Sequence, residues 1–171
     1  MSQKPERNEA SEYFFRYIDR VTTDDIVLFL KNQLTDTALF LQKVSEEKSV
    51  SRYAPEKWSL REVLNHVSDT ERVFLFRALW FARGFPSALP SFEPETAVLS
   101  SSAQQVSWAS HCEEFMAVRG ATNYFFRNMP AAGWLRVGVA SGSNFSVRAI
   151  AYIIAGHLSH HTEILRERYL S

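Results

Sequence analysis

The sequence predicts an all-α four-helix bundle, and three observations carry that prediction. Apolar residues recur at helical spacing in four long segments, capping residues stand at the starts of several of them, and proline- or glycine-bearing stretches interrupt the pattern between them. Helices with one apolar stripe bury it against one another, which makes a bundle of four the simplest architecture.

The elements follow in chain order. An aromatic piece, Tyr13 to Ile18, comes first, with Tyr13, Phe14, Tyr17 and Ile18 able to cover one side of the bundle. Thr22 and Thr23 offer caps, and Asp24 and Asp25 sit where a helix N-terminus favours negative charge. The first long helix follows, with Ile26, Leu30, Leu34, Leu41 and Val44 as its stripe, and dissolves near residues 46–51. Ser59 and Glu62 form a capping box that starts the second helix at about Leu60. Its stripe is Leu60, Val63, Leu64, Val67, Phe74, Leu75 and Ala78, and it ends near Arg83 and Gly84. Pro86, Pro90 and Pro94 then prevent a continuous helix, so residues 85–96 read as a long crossover over one end of the bundle. The third helix is expected over about Ala103 to Asn128, with Val106, Ala109, Cys112, Phe115, Met116, Arg119, Thr122 and Phe126 at compatible spacing. Residues 129–145 read as a loop or short hairpin in which Trp134 and Arg136 form a lip over a bundle end. Ser146 caps the last helix, which runs to about Tyr169.

Composition bounds the function. The 171 residues suffice for one domain, 1–171, and 46% hydrophobic with 22% charged residues is ordinary globular material. Nineteen basic residues balance nineteen acidic ones without a basic run, which argues against a nucleic-acid partner. The polar opening Met1 to Glu9 has no apolar signal core, no apolar run approaches a membrane span, and the single Cys112 suits a reducing compartment, so a cytoplasmic protein is expected.

The chemistry concentrates in histidines. His157 and His161 stand four apart in an apolar helical repeat of Ile150, Ile153, Ile154, Leu158, Ile164 and Leu165, so both face the interior. They are either hydrogen-bonded core residues or two teeth of a metal site. His66, on the flank of the second helix's stripe, could supply a third ligand if the two helices are neighbours, and His160 is a rival at i, i+3 from His157. Glu71 falls within an apolar stripe and needs a partner, an arginine or a histidine ring; it is a candidate catalytic group that orients a ligand or accepts a proton. Arg119, on the third stripe, could pair with Glu71 or bind an anionic substrate. His111 lacks a periodic partner and reads as solvated, and Cys112 as a small core residue. Tyr13, Trp80 and Trp134 are aromatic residues that core packing explains as well as a pocket does.

The run from Tyr53 to Arg72, the segment Arg77-Ala78-Leu79 and the stretch Gly156-His157-Leu158-Ser159-His160-His161 together resemble the DinB-like superfamily, which includes the YfiT-like metal-dependent hydrolases and related thiol transferases. That resemblance implies up-down-down-up connectivity with the long crossover between helices 2 and 3, and a homodimer. It also implies a divalent metal ion, zinc or nickel, on His66, His157 and His161, with His160 outside the ligand set. A small-molecule substrate follows, with three readings. The first is hydrolysis by metal-activated water; the second is transfer of a small thiol; the third is a non-catalytic metal- or ligand-binding bundle.

Overall fold

The computed structural model of the chain describes residues 3–170. Met1 and Ser2, which open the polar stretch, and Ser171, the last residue of the expected domain, lie outside the described residues. After a 3-10 turn at Arg7–Glu9, helix α1 spans Glu12–Ile18, α2 Ile26–Leu41, α3 Glu46–Ser49, α4 Leu60–Ala82, α5 Pro94–Ser100, α6 Trp108–Arg127 and α7 Ala131–Trp134. Strands β1 (Val137–Ala140) and β2 (Ser143–Ser146) pair as an antiparallel hairpin with Val137 opposite Ser146. Helix α8 covers Val147–Ile164 and passes into a π-helical turn at Leu165–Tyr169.

Short polar side chains set where the long helices begin. Ser59 Oγ accepts from Glu62 N at 3.2 Å while the Glu62 carboxylate accepts from Ser59 N at 2.7 Å, so α4 starts at Leu60 as the sequence indicates. Asp25 accepts from Leu28 N at 3.0 Å and Ser146 from Ala149 N at 3.0 Å, which fixes the starts of α2 and α8.

Helices α2, α4, α6 and α8 form the bundle, with α4 and α2 at opposite corners and each packed on both α6 and α8. The connectivity is up-down-down-up: α4 and α6 run parallel, so the chain between them must return along the whole bundle, about 34 Å for a 23-residue helix. The crossover does this and is fastened on the way. Leu89 N donates to Val139 O at 2.9 Å, Ser141 N to Leu89 O at 3.1 Å, and Arg77 donates to Pro90 O and Ser141 Oγ at 3.1 and 2.9 Å. No helix among the described residues is long and apolar enough to cross a membrane.

The apolar interior is split into two clusters by a polar layer. On α4, Val67 belongs to one cluster and Phe74 to the other; on α6 the same holds for Phe115 and Phe126, and on α8 for Leu158 and Ala155. Between those pairs stand Thr70 and Glu71, Arg119 and Thr122, and Gly156 and His157, all buried. Polar groups at this depth persist only when partnered: Glu71 pairs with Arg119 and His157 meets His66 across the bundle, while Thr70 and Thr122 bond within their own helices.

Helix α1 lies against α8 because Gly156 has no side chain. A Cβ at Gly156 would stand 2.0 Å from Tyr17 O and 2.5 Å from Tyr17 C, both backbone atoms. Gly156→Ala therefore has to push α1 outward, and urea denaturation is expected to show a loss of about 1–3 kcal/mol. An unchanged midpoint would mean that α1 moves freely.

Several expectations change against this structure. The third helix begins at Trp108, not Ala103: Ser102 takes a left-handed φ of 54°, residues 103–105 make a separate 3-10 turn, and Ser107 caps α6 by accepting from Ser110 N at 3.2 Å. That turn folds back over α6, so His111 is buried rather than solvated and donates to Ala103 O at 2.9 Å. Ala109 and Met116 of the expected stripe are exposed, because the buried face of α6 runs through Trp108, His111, Phe115, Val118, Arg119, Thr122 and Phe126. The crossover carries no continuous helix, as its prolines indicate, but it ends in a short helix that the sequence did not show, α5, which Pro94 starts because the first helical position needs no N–H. Trp134 is buried, stacked on Phe126 at 5.5 Å, while Arg136 donates to Ala82 O at the end of α4 at 2.5 Å. In α1 the buried aromatic residues are Phe15 and Tyr17, and Tyr13 is exposed.

Candidate metal centre

The capping box sets His66 two turns into α4, and α8 carries His157 and His161 on successive turns of one face. Because α4 and α8 are neighbours, the three rings meet. His157 Nε2 lies 3.1 Å from His66 Nε2 and 3.1 Å from His161 Nε2, and one nitrogen of each ring falls within 4.8 Å of the others. Three imidazole nitrogens held at 2.0–2.1 Å by a tetrahedral ion stand roughly 3.3 Å apart, so the side chains need little movement to hold one. The donor chemistry agrees. His157 Nε2 has a single ring lone pair and cannot accept protons from both neighbours, whereas one cation satisfies all three nitrogens.

The surroundings keep the rings neutral and oriented. Burial lowers the pKa of His66 from 6.5 to about 4. Burial, and after it the neighbouring histidines and Arg16, holds His157 and His161 well below the ordinary range. Neutral imidazole is the form that binds a metal, so no proton competes for the site at pH 7. Thr70 Oγ1 lies 3.3 Å from His66 Nδ1, a partner that leaves Nε2 facing the other two rings. Trp58 sits 4.9 Å from the His66 ring, and Tyr17 meets His157 edge-on at 5.3 Å.

These shifts make metal-free stability depend on pH. Between about 4 and 6.5 the unfolded chain carries a proton on His66 that the folded chain refuses, so unfolding takes up protons and stability rises with pH. The contribution is present above 6.5 and is lost as pH falls toward 4. Thermal denaturation of chelated protein across that window is expected to show a falling midpoint with acid, with a shallower slope in His66→Ala; equal slopes would contradict it.

His160 is not part of the cluster. Its ring lies 5.6 Å from Tyr17 and 5.1 Å from His161, on the wall of the adjoining cavity. Glu71 and Arg119 pair with each other. Both Glu71 oxygens accept from Arg119 at 2.7 Å, the guanidinium is fully buried, and its remaining arm donates to Gln33 Oε1 at 2.6 Å. Gln33 in turn donates to Ala155 O and Ser159 Oγ at 2.9 Å, gripping α8 on either side of His157. The pair is thus spent on closing the polar layer, and neither member lines the histidine cavity. The Cys112 thiol is pushed up to about 11, first by burial and then by Glu113 and Glu46, so it is no thiolate.

The triad opens on a cavity of about 690 Å³, within the range of small-molecule sites. α1 supplies Tyr13, Arg16 and Tyr17, and the crossover supplies Phe92, Glu93 and Glu95. Sequence reasoning missed Arg16, Tyr17 and Thr70 as site residues. Thr70 was within reach, four residues after His66 on the same face; α1 gave only an aromatic pattern that packing explains equally well.

A family model described as the DinB superfamily matches residues 30–165. No curated protein sequence matches the chain. Among solved structures, the fold is similar to YfiT from Bacillus subtilis, described as a probable metal-dependent hydrolase with an unusual four-helix bundle topology. The identity is 13% and the TM-score 0.68, over 96% of this chain and 93% of that one. It is also similar to the mycothiol-dependent maleylpyruvate isomerase at 8% identity and a TM-score of 0.68, over 85% of this chain. The match spans only 61% of that protein's length. A bundle with this connectivity, carrying its histidines on the second and last bundle helices, and a family match over most of the sequence together place the chain in the DinB superfamily.

Proposed function

We propose that the protein is a metal-dependent hydrolase whose divalent ion, zinc or nickel, is held by His66, His157 and His161. The observation that carries this reading is the convergence of three neutral imidazole nitrogens, with 3.1 Å contacts, at the wall of a small-molecule cavity. When bound, such an ion supplies Lewis acidity that lowers the pKa of a water toward about 7. The chain's own residues do the rest. Thr70 orients His66, Gln33 braces α8 beside His157, and Tyr13, Phe14, Phe74 and Phe92 give the cavity apolar wall for a small substrate. The likeness to YfiT in fold supports the reading.

A second reading is metal-dependent transfer of a small thiol, and one observation favours it. Glu71 is tied to Arg119, so among the described residues no buried carboxylate lines the cavity to take a proton, and a thiol, far more acidic than water before it meets a metal, has less need of one. A non-catalytic staple is disfavoured: among the described residues three ligands converge, without the fourth that closes a structural zinc site. The deciding experiment assays zinc- and nickel-loaded protein against ester and amide panels, and then against small thiols with electrophiles. Metal-dependent hydrolysis is expected; turnover that requires thiol and occurs without hydrolysis would put the second reading first.

A homodimer belongs to the same proposal. Exposed Phe76 and Phe85 flank Trp80, with ring centroids 5.7 and 4.3 Å from it, and Leu79 is exposed beside them. Sedimentation velocity is expected to give twice the chain mass, and a monomer at micromolar concentration would refute it.

A further inference from the structure

Arg16 is a cation without an anion. It makes no ion pair among the described residues, whereas Arg20 pairs with Glu163, Arg72 with Asp69 and Glu114, and Arg119 with Glu71. Its guanidinium instead lies over the rings of Tyr13 and Tyr17, 3.8 and 4.7 Å from their centroids, and one arm donates to both hydroxyls, at 2.8 Å for Tyr17. The Tyr17 hydroxyl also bonds to that of Tyr13, which leaves the Tyr13 hydrogen to donate onward. The rest of the guanidinium edge has no protein acceptor among the described residues. The result is a group of donors with a net positive charge on the wall of the histidine cavity, on the same residue, Tyr17, that touches the His157 ring.

The wall is also fixed in place. Gly156 lets the Tyr17 backbone seat directly on α8, so α1 carries Arg16 at a set height beside the triad. Phe14 and Phe74, edge to face at 5.9 Å, supply an apolar surface of the same cavity. The acidic side chains that reach it, Glu93 and Glu95, come from the crossover rather than from α1.

We propose that the cavity takes a small carboxylate with an apolar body, its carboxylate anchored by Arg16 with the Tyr13 hydroxyl and its reacting group turned to the triad. This names the substrate class of the site and so rests on the reading above. The anchoring role that the sequence left open for Arg119 falls to Arg16, because Arg119 is sealed against Glu71. The other guanidinium on the cavity, Arg77, is turned to Pro90 O and Ser141 Oγ and fastens the crossover, which leaves Arg16 as the cation with a free edge. Arg16 compensates one negative charge, and Glu93 and Glu95 nearby disfavour a dianion, so a carboxylate fits better than a phosphate.

The test is isothermal titration of the full chain, zinc-loaded and again after chelation, with phenylacetate, phenylacetamide and phenyl phosphate. In both preparations phenylacetate is expected to bind about tenfold or more tighter than the amide, the range for a charge-assisted pair. Arg16→Gln is expected to abolish that preference, and Arg16→Lys, which keeps the charge but loses the fork, to retain part of it. Equal binding of acid and amide, or a preference that survives Arg16→Gln, would overturn the proposal. A preference seen only with zinc would also overturn it and leave the metal centre standing; tighter binding of phenyl phosphate would overturn the carboxylate assignment. Because the chelated arm uses neither metal nor turnover, failure of the hydrolase reading leaves the Arg16 result legible.

Discussion

Glu71→Ala is expected to destabilise the fold by about 3–5 kcal/mol in urea denaturation, because it strands a fully buried guanidinium. Arg119 would keep only Gln33 as a partner, and Gln33 is itself committed to Ala155 and Ser159. The pair's net worth is a separate matter from the cost of breaking it. Desolvating both charges offsets much of their attraction, so a Glu71→Met, Arg119→Leu double variant is expected to recover most of the loss. If Glu71→Ala costs no more than a surface substitution, the polar layer does not hold the bundle as described.

His66→Ala is expected to remove bound metal while leaving the helices in place. Losing a partner outside the ligand set of a metal site costs roughly 10–100-fold in affinity, and losing a ligand costs more. The fold should survive because α4 is started by its capping box and packed by Leu60, Val63, Leu64 and Val67, none of which depends on the imidazole. Elemental analysis of the purified variant is expected to find less than about a tenth of the wild-type metal, with an unchanged far-ultraviolet circular dichroism spectrum. Wild-type metal content would remove His66 from the centre.

The parts of this protein that were legible in the sequence are those governed by local chemistry. Ser59 with Glu62, and Ser146, mark helix starts through hydrogen bonds made within one turn, and the structure begins α4 and α8 there. His157 and His161 share a face by helical arithmetic alone, and the family resemblance joined His66 to them from another helix. What stayed hidden depends on tertiary cover. His111 is buried because a distant-looking turn at residues 103–105 folds back over it, and nothing in its own periodicity encodes that turn. Likewise Arg119 had two possible partners in the sequence, and only the meeting of α4 with α6 selects Glu71. Arg16 and Tyr17 come to the site because Gly156, far along the chain, admits a backbone where a side chain would block it.

The convergence of three histidines on one divalent ion is tested most directly by X-ray absorption spectroscopy of the zinc-loaded protein. The first shell is expected to contain three imidazole nitrogens at about 2.0–2.1 Å and at least one position that exchanges with solvent or added ligand. A shell closed by a fourth protein side chain, or one with fewer than three imidazoles, would contradict it.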